Sequence, residues 1–587
     1  MCNKQFRVLM LAIFLGAFFC LAGCAAQRDN TVNKNVLFKY NIAEGGVQCS
    51  IHDYLNIADG ERVTLTAEAN NGYYFVCWTK DAFLESYGEI VSEDADYTFI
   101  KNSNDTYYAN FSKDDEVFVS YYANGGSVNH TESKNDRLVL KVKLGKHLYP
   151  MTIPQNGTFS RNGYVLTEYS SEPDGSGTIT NIGQRVFCDE KIIQLYAQWS
   201  LETDTNLFTF DKQSDGVYVT GYTGNEEIVT IPAKYNGIDV VGIMQDAISS
   251  AKVNTVILPE TVKVIKDNAF RDCSSLKTVY LYDTVAEMTD KSFAGSPIEM
   301  VCLNSVYDQK YYAEGCGKLE LLYSQKNSAD NRIVVLSGSS GIYGLDAKLL
   351  QNSLKKDFKV VNMGLQIAIP GSFSMRMMKQ YLHSGDIVLF APECELKQFF
   401  NTLTTNTFIK YDGAYTAIRN VDVREYSSFF TALSLYSMAK ISDTEHMHSD
   451  INQFYDNNGD SPNSHTYEPF APTYTFKSPT KREEMTSETY GKLNDVIHAL
   501  NEYGVKVYLT FAPFCSEACS EEVTVEMLDE YSKTLAENLD VTCISTQSAH
   551  NYPMKYFFEM FHMTAEGREL RTEKLIQELN TQFDKEK

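Results

Sequence analysis

Hydrophobic and polar residues alternate over short stretches in the first 200 positions of the chain. The run Arg62–Ala67 (RVTLTA) alternates strictly, and a later run ends at Leu195–Trp199 (LYAQW). Such period-two patterns, bounded by turns that contain Gly and Asn, are the signature of β-strands. The pattern therefore predicts two small β-rich domains, at residues 35–115 and 116–200.

A longer period follows these two blocks. The stretch that begins at Val253 is repeated from Leu276, 23 residues later, and Phe270 in the first copy corresponds to Phe293 in the second. Self-similarity at a fixed period indicates a solenoid, in which successive turns bury one another's apolar ridges. Residues 201–325 are therefore predicted to form a short repeat array, which serves either as a binding face or as a rigid spacer.

Beyond residue 325 short apolar runs alternate with amphipathic stretches. The apolar runs have the length of strands, and they are Ile333–Ser337, Phe358–Asn362, Ile387–Pro392, Val505–Ala512 and Val541–Ser545. The amphipathic stretches include Leu345–Lys356, Ser374–His383 and Ser487–Tyr503. Strands separated by helices predict an α/β domain at residues 326–587, with three layers and a parallel sheet. Its active-site loops should follow the carboxyl ends of the strands.

The N-terminal regions resemble two families of bacterial surface modules. The ANGG and LYAQW motifs and the run Gly72–Trp78 resemble the internalin-type B repeat, which implies a β-grasp-like fold. In the second block Tyr169 stands where that family usually has Trp. Trp78 and Trp199 are interpreted as core residues, because aromatic side chains dominate small cores. The NAFxxC pattern of the 23-residue copies resembles BspA-like leucine-rich repeats.

The first residues have the character of a targeting segment. Two basic residues precede an apolar run that ends in Leu-Ala-Gly-Cys at Leu21–Cys24. The run is too short to be read as a membrane-spanning helix. The four residues resemble a bacterial lipobox, which implies a signal peptide at 1–23, a lipid on Cys24 and a polar tether at 24–34. The protein is then expected on the extracellular face of the cell membrane; the alternative is an ordinary secretory signal.

Charge excludes some classes of function. The 587-residue chain carries a formal net charge of −24, which argues against nucleic-acid binding because phosphate contacts need basic patches.

The cysteines are scattered, apart from Cys515 and Cys519. His446 and His448 lie two residues apart in a polar stretch, a pattern more typical of solvated histidines than of a metal site. We predict neither a metal nor a cofactor.

The loop that ends the stretch Ile333–Gly344 (IVVLSGSSGIYG) permits three interpretations. A dinucleotide site fails, because the glycine spacing is wrong and the next strand ends in Asn362 instead of an acidic residue. A phosphate-binding loop is excluded, because this stretch contains neither Gly-Lys-Ser nor Gly-Lys-Thr. A serine-rich turn and a nucleophile site remain. The sequence Glu559-x-x-His562 favours the nucleophile site, since a carboxylate three residues before an imidazole can orient the ring.

These residues together resemble the SGNH/GDSL hydrolase superfamily, especially its members that modify cell-surface polymers. Gly338-Ser339-Ser340 and Gly344 match the GDSxxxG block with Ser339 in place of Asp, Val361–Gly364 matches the second block, and Glu559-x-x-His562 matches the last. The resemblance implies Ser340 as the nucleophile, His562 as the base and Glu559 as its orienting acid. It also implies an oxyanion hole formed by the N–H groups of Ser340 and Gly364, with the Asn362 side chain as a further donor.

One departure from the family bears on activity. The third block of the superfamily supplies an Asn, whereas this strand runs into Ala391-Pro-Glu393-Cys-Glu395. A carboxylate at that position would repel a developing oxyanion. The sequence is thus consistent with a serine esterase or O-acyltransferase that acts on acyl esters of cell-wall or capsular glycans. The alternative is a non-catalytic adhesin or glycan- or protein-binding protein with a degenerate SGNH domain, whose repeats bind a protein ligand.

Overall fold

The computed structural model describes most of the chain from residue 36 onward. The described residues are 36–41, 48–51, 57–84, 87–103, 105–113, 116–129, 136–143, 151–152, 157–186, 190–250, 252–306, 313–325, 330–364, 371–393, 426–442, 455–461, 485–559 and 561–587. The predicted signal peptide, tether and lipidated Cys24 lie outside these residues, as do His446 and His448. The chain divides into two compact units, residues 1–111 and 112–587.

The first unit is built from strands alone in its described part. The strands are β1 (Val36–Asn41), β2 (Gln48–Ile51), β3 (Arg62–Glu68), β4 (Tyr73–Lys80), β5 (Glu89–Ser92), β6 (Asp96–Ile100) and β7 (Tyr107–Lys113). They form two sheets, in the orders β1-β3-β6 and β2-β7-β4-β5. Trp78 is fully buried and its indole N–H donates to the carbonyl of Ala95 at 3.1 Å, which confirms its interpretation as a core residue.

The second unit opens with another β-domain. Its strands are β8 (Glu116–Tyr122), β9 (Ser127–Val128), β10 (Arg137–Lys143), β11 (Met151–Thr152), β12 (Phe159–Ser160), β13 (Tyr164–Ser170), β14 (Ile179–Thr180), β15 (Arg185–Val186) and β16 (Ile192–Leu201). Five of them form a sheet in the order β10-β8-β16-β13-β14. Tyr169 is fully buried and meets Tyr121 edge-on, with ring centroids 5.7 Å apart. Tyr169 is therefore a core residue of this β-domain.

The repeat region forms a short solenoid. Its strands are β17 (Phe208–Lys212), β18 (Val217–Tyr222), β19 (Ile228–Thr230), β20 (Lys234–Tyr235), β21 (Ile238–Ile243), β22 (Thr255–Ile257), β23 (Val264–Ile265), β24 (Thr278–Tyr282) and β25 (Met300–Asn304). Strands β19, β22, β24 and β25 pair in parallel, and Val256 lies opposite Val279. The rings of Phe270 and Phe293 stack with centroids 5.0 Å apart. The 23-residue period thus predicts the residues that become neighbours in successive turns.

The remainder of the chain contains a five-stranded parallel sheet. Its strands are β26 (Arg332–Ser337), β27 (Lys359–Asn362), β28 (Ile387–Ala391), β29 (Lys506–Leu509) and β30 (Thr542–Cys543), followed by a hairpin of β31 (Phe557–Glu559) and β32 (His562–Met563). The helices are α1 (Ala313–Ser324), α2 (Ser339–Gly344), α3 (Ala347–Ser353), α4 (Gly371–Lys379), α5 (Tyr426–Ser442), α6 (Ser487–Glu502), α7 (Val525–Asn538) and α8 (Ala565–Lys585). All five predicted strands are present, in the order β27-β26-β28-β29-β30.

The sheet is covered on both faces. Successive strand residues point to opposite faces, so Val334 and Leu336 of β26 share one core with α4, α5 and α6. Ile333 and Val335 share a second core with α3 and α8. Threonine side chains at positions 486, 524 and 564 accept hydrogen bonds from the first turns of α6, α7 and α8, as N-caps commonly do. The result is three layers, helix on sheet on helix.

The solenoid and the α/β region share one hydrophobic core. The ring of Phe293 in the last repeat stacks on Phe430 of α5, with centroids 4.7 Å apart, and both are buried. The second β-domain also contacts the solenoid, since the side-chain amide of Asn181 donates to the carbonyl of Leu303 in β25 at 2.7 Å. The described residues between 112 and 587 therefore belong to one compact unit.

Candidate active site

The candidate site lies at the carboxyl ends of β26 and β28. The strand order reverses direction at this pair, since the chain moves from β26 outward to β27 and then back to β28. In open α/β sheets the loops at such a point diverge and leave a crevice for a ligand. Ser337 and Ala391, the last residues of the two strands, lie opposite each other. The serine-rich loop and Glu393 therefore emerge side by side.

The C-terminal hairpin brings the predicted histidine and acid together. Glu559 and His562 are partners across the β31–β32 pair, and the Nδ1 atom of His562 lies 2.9 Å from a carboxylate oxygen of Glu559. The His562 side chain is 17% exposed, whereas that of Glu559 is 56% exposed. Tyr343 and Phe558 flank the imidazole, with ring centroids 4.5 and 5.6 Å from it. These contacts fix the plane of the ring.

The serine that contacts the histidine is not the one that the sequence predicts. The Nε2 atom of His562 lies 2.7 Å from the hydroxyl oxygen of Ser339. Ser340 is fully buried, and its hydroxyl lies 3.0 Å from that of Ser337. Consecutive residues of a helix point in directions about 100° apart, so only one of two adjacent serines can face the hairpin. The structure therefore brings Ser339, His562 and Glu559 together and leaves Ser340 beneath them.

The predicted oxyanion donors are engaged in other contacts. The backbone N–H of Ser340 donates to a carboxylate oxygen of Glu393, and that of Gly364 donates to the side-chain oxygen of Asn362 at 2.9 Å. The Asn362 amide nitrogen donates to the carbonyl of Gly341 at 2.7 Å and to Asp460 at 2.9 Å. The three groups predicted to hold an oxyanion thus make hydrogen bonds within the protein, and their role as oxyanion donors stays a prediction. A carboxylate occupies the position beside Ser339.

Asp460 is a buried carboxylate that sequence reasoning missed. It lies in the short described segment 455–461, it is 3% exposed, and its carboxylate accepts a hydrogen bond from the N–H of Ala347 at 2.7 Å. Burial raises the pKa of Asp460 to about 6, against the opposing effect of the Arg568 guanidinium 3.6 Å away. This carboxylate therefore links Asn362, the last residue of β27, to the first residue of α3.

Arg571 was also missed, and it anchors the serine-bearing helix. Its guanidinium donates to the carbonyls of Ser340 at 2.8 Å and Gly344 at 3.1 Å. Burial lowers the pKa of Arg571 to about 10. A side chain at Gly344 would lie 2.9 Å from this guanidinium, which explains the glycine there. The sequence signal was available only as an arginine on the buried side of the last amphipathic helix.

Two features are absent from the described ranges, a metal-ligating cluster and a membrane-spanning helix. Within them, no group of three or more His, Cys, Asp or Glu side chains is arranged to hold a metal ion. None of the described helices combines the length and the hydrophobicity that a bilayer crossing needs. The side chains that meet at the candidate site are the hydroxyl of Ser339, the imidazole of His562 and the carboxylates of Glu559 and Glu393.

Both kinds of repeat match known protein families. Residues 241–329 match the BspA type leucine rich repeat region in six copies, and residues 40–115 match the divergent InlB B-repeat domain. Both predicted repeat families are thereby confirmed for these ranges. No curated protein matches the chain.

Two solved structures share part of the sequence. A leucine rich repeat protein of T. pallidum is 23% identical over 23% of this chain and 60% of its own, with a TM-score of 0.16. A leucine rich cell surface protein of Faecalibacterium prausnitzii is 19% identical over 23% of this chain and 37% of its own, with a TM-score of 0.12. The chain thus spans less than two thirds of either protein.

Proposed function

We propose that this protein is a lipid-anchored surface protein whose α/β domain is an SGNH-like serine esterase or O-acyltransferase. The observation that carries the proposal is the pair of contacts that links Ser339 to His562 at 2.7 Å and His562 to Glu559 at 2.9 Å. A hydroxyl, a base and an orienting acid within hydrogen-bond reach are the minimum set for nucleophilic acyl transfer. The nucleophile is then Ser339, one position before the serine that the family block implies.

The chemistry follows from the roles of the three side chains. Ser339 Oγ attacks the carbonyl carbon of an ester while its proton passes to Nε2 of His562. The tetrahedral intermediate collapses, the alcohol leaves with that proton, and an acyl group remains on Ser339. A second hydroxyl compound then gives its proton to His562 and takes the acyl group. Water as this acceptor makes the protein an esterase, and a sugar hydroxyl makes it a transferase.

The location and the substrate class rest on the N-terminal half. The lipobox-like Leu21–Cys24 would tether the chain to the outer face of the cell membrane. The B-repeat and BspA-type repeats between that anchor and the site are compatible with a place in the cell envelope. Acyl esters on envelope glycans are the substrates that a tethered acyl-transfer site would meet there.

A second function is favoured by one contact. The carboxylate of Glu393 accepts the N–H of Ser340 where an oxyanion would need that donor. In this alternative the α/β domain binds a glycan or a protein without turning it over. Carboxylates such as Glu393 and Glu559 would then accept hydrogen bonds from ligand hydroxyls, beside the rings of Tyr343 and Phe558. The repeats would extend the binding surface.

Labelling with a fluorophosphonate separates the two functions, because the reagent modifies only an activated serine. The full chain is treated with the reagent and the modified peptide is identified by mass spectrometry. We expect the label on Ser339, its loss in Ser339→Ala and its retention in Ser340→Ala, the matched control one residue away. An unlabelled wild-type protein that is inert toward acetylated glycans, or a label that survives Ser339→Ala, would reject the esterase.

A further inference from the structure

The helix α2, which carries Ser339, is too short to keep its own orientation. It spans six residues, Ser339–Gly344, and isolated helices shorter than about 12 residues are marginal in water. The last four carbonyls of a helix also lack a hydrogen-bond partner within it. The direction in which Ser339 points must therefore be set by side chains outside α2.

Two side chains from other elements donate to carbonyls of α2. The guanidinium of Arg571 in α8 donates to the carbonyls of Ser340 at 2.8 Å and Gly344 at 3.1 Å. The amide nitrogen of Asn362, the last residue of β27, donates to the carbonyl of Gly341 at 2.7 Å. The helix is thus held at three of its carbonyls, from two different elements of the domain.

Asp460 determines which way the Asn362 amide faces. The amide nitrogen of Asn362 also donates to the carboxylate of Asp460 at 2.9 Å, while its oxygen accepts the N–H of Gly364 at 2.9 Å. A reversed amide would place its oxygen against a carboxylate and its NH2 group against an N–H donor. Both side chains are buried, so such an unsatisfied arrangement is costly. The carboxylate therefore keeps the amide nitrogen directed at Gly341.

The contact at Gly341 affects where Ser339 points. The two residues are two positions apart, which is about 200° around a helix, so they face nearly opposite sides. A side chain at Gly341 would lie 3.1 Å from the Cα atom of Gly364, so this side of α2 packs closely against the residues that follow β27. If that contact loosens, a turn of α2 by about 100° exchanges Ser339 for Ser340.

We propose that Asp460 is a positioning residue, which acts through Asn362 to keep Ser339 turned toward the histidine. The inference rests on the proposed function, since it assigns Asp460 a part in presenting the nucleophile. The alternative is a purely structural role, because the same carboxylate also accepts the N–H of Ala347. In that role Asp460 would stabilise the junction between β27 and α3 and leave the direction of Ser339 unchanged.

The substitution Asp460→Asn separates the two roles, because it keeps the shape of the side chain and replaces one acceptor by a donor. The new amide oxygen should face the N–H of Ala347 and the guanidinium of Arg568, which are both donors. Its NH2 group then meets the NH2 group of Asn362. The contact that orients Asn362 is lost, whereas the contact with Ala347 is kept.

Asn458→Ala is the matched control. Asn458 lies in the same described segment as Asp460, and its side-chain amide donates to Gln351 at 3.1 Å and to the carbonyl of Val360 at 3.0 Å. The substitution removes two hydrogen bonds at the same edge of the sheet but leaves the contact between Asp460 and Asn362. All variants are compared well below their melting temperatures, so that each is fully folded during the measurement.

Fluorophosphonate labelling of the full chain at pH 8 tests the proposal. Burial raises the pKa of Asp460 to about 6, so its carboxyl is ionised at this pH. We expect Ser339 to be labelled about 10–100-fold more slowly in Asp460→Asn than in wild type, because the nucleophile is displaced. Part of the label should move to Ser340, a shift that a loss of stability alone does not cause. Asn458→Ala should be labelled on Ser339 at the wild-type rate.

The position of the label decides between the outcomes. Label on Ser340 in Asp460→Asn that Asn458→Ala lacks supports the inference, and Asp460→Ala, which removes the acceptor without adding a donor, replaces the first variant if that does not fold. A label that stays wholly on Ser339, or that moves equally in the control, overturns the inference and leaves the proposed function intact.

Two further results would also overturn the inference. A wild type that takes no label rejects the esterase, and the positioning role is rejected with it. If neither variant of Asp460 folds while Asn458→Ala does, Asp460 serves the fold as a whole instead of the direction of Ser339.

Discussion

The imidazole of His562 lies 2.7 Å from the hydroxyl of Ser339, although 223 residues separate them in the chain. The serine begins α2 and the histidine begins the second strand of the C-terminal hairpin. Arg571 ties the two regions together, because it belongs to the helix that follows the hairpin and donates to two carbonyls of α2. The geometry of the site therefore depends on the last helix of the protein.

The first prediction concerns Glu559. Replacement by Gln keeps the size of the side chain but removes the negative charge that stabilises the protonated His562. We expect the rate of ester hydrolysis to fall by about 10–100-fold. The loss should be smaller than for a buried orienting acid, because more than half of the Glu559 side chain is exposed. Initial rates with p-nitrophenyl acetate measure the effect.

Two further variants show whether the loss of activity is due to the charge of Glu559. His562→Gln should abolish hydrolysis, and Glu559→Asp should retain part of it because the charge is kept. A rate for Glu559→Gln equal to that of wild type would show that the acid does not orient the ring.

The second prediction concerns Glu393, whose carboxylate accepts the N–H of Ser340. Replacement by Gln removes a charge that opposes an oxyanion and introduces an amide N–H that can donate to it. If the site transfers acyl groups, hydrolysis by Glu393→Gln should rise by about tenfold. Parallel assays of wild type and variant at one protein concentration measure the change. Reduced hydrolysis would instead show that the carboxylate takes part in the reaction.

The third prediction is a pH dependence of stability. Burial raises the pKa of Asp460 to about 6, so the folded protein holds this proton more tightly than the unfolded chain does. The stabilising contribution is then complete below about pH 4 and is lost as the pH rises through 6. Between pH 4 and 7 the wild type should lose up to about 3 kcal/mol relative to Asp460→Asn.

Urea unfolding of both proteins at pH 4, 5.5 and 7 measures that difference. The other carboxylates contribute equally to wild type and variant, so they cancel. A constant difference across the three pH values would contradict the raised pKa.

The fourth prediction concerns a buried ion pair at the start of the sheet. The guanidinium of Arg332 lies 2.6 Å from the carboxylate of Asp386, and neither side chain is exposed. Asp386→Asn leaves a buried charge without its partner and should cost about 3–5 kcal/mol of unfolding free energy. As a control, Asp584→Asn removes the exposed partner of Lys355 and should leave the melting temperature nearly unchanged. Equal effects of the two substitutions would contradict the prediction.

The elements of the sheet were predictable because each depends on local pattern. The five apolar runs became five strands, and the 23-residue period placed Val256 opposite Val279. The pair Glu559 and His562 was predictable for the same reason, since the two residues that must touch are three apart. Local spacing carries the information in each case.

The other contacts of the candidate site join residues that are far apart in the chain, so the spacing of residues along the sequence does not predict them. Whether Ser339 or Ser340 contacts His562 depends on how a six-residue helix is rotated about its axis relative to a hairpin that is distant in the chain. The contacts of Glu393 with Ser340 and of Asp460 with Asn362 span 53 and 98 residues. Such contacts form only once the sheet is assembled, so they cannot be predicted from any single stretch of sequence.

The hydrogen bond from Asn181 to the carbonyl of Leu303 limits how the solenoid can change in length, because Asn181 precedes the array in the chain and Leu303 lies in its last strand. Neighbouring parallel strands lie ~4.8 Å apart, so inserting or deleting one 23-residue copy would move the last strand of the array by about that distance. Leu303 would then move away from Asn181, and the buried amide would lose its acceptor. A free-standing repeat array can gain and lose copies in evolution, but this one has its number of turns fixed by the β-domain that precedes it.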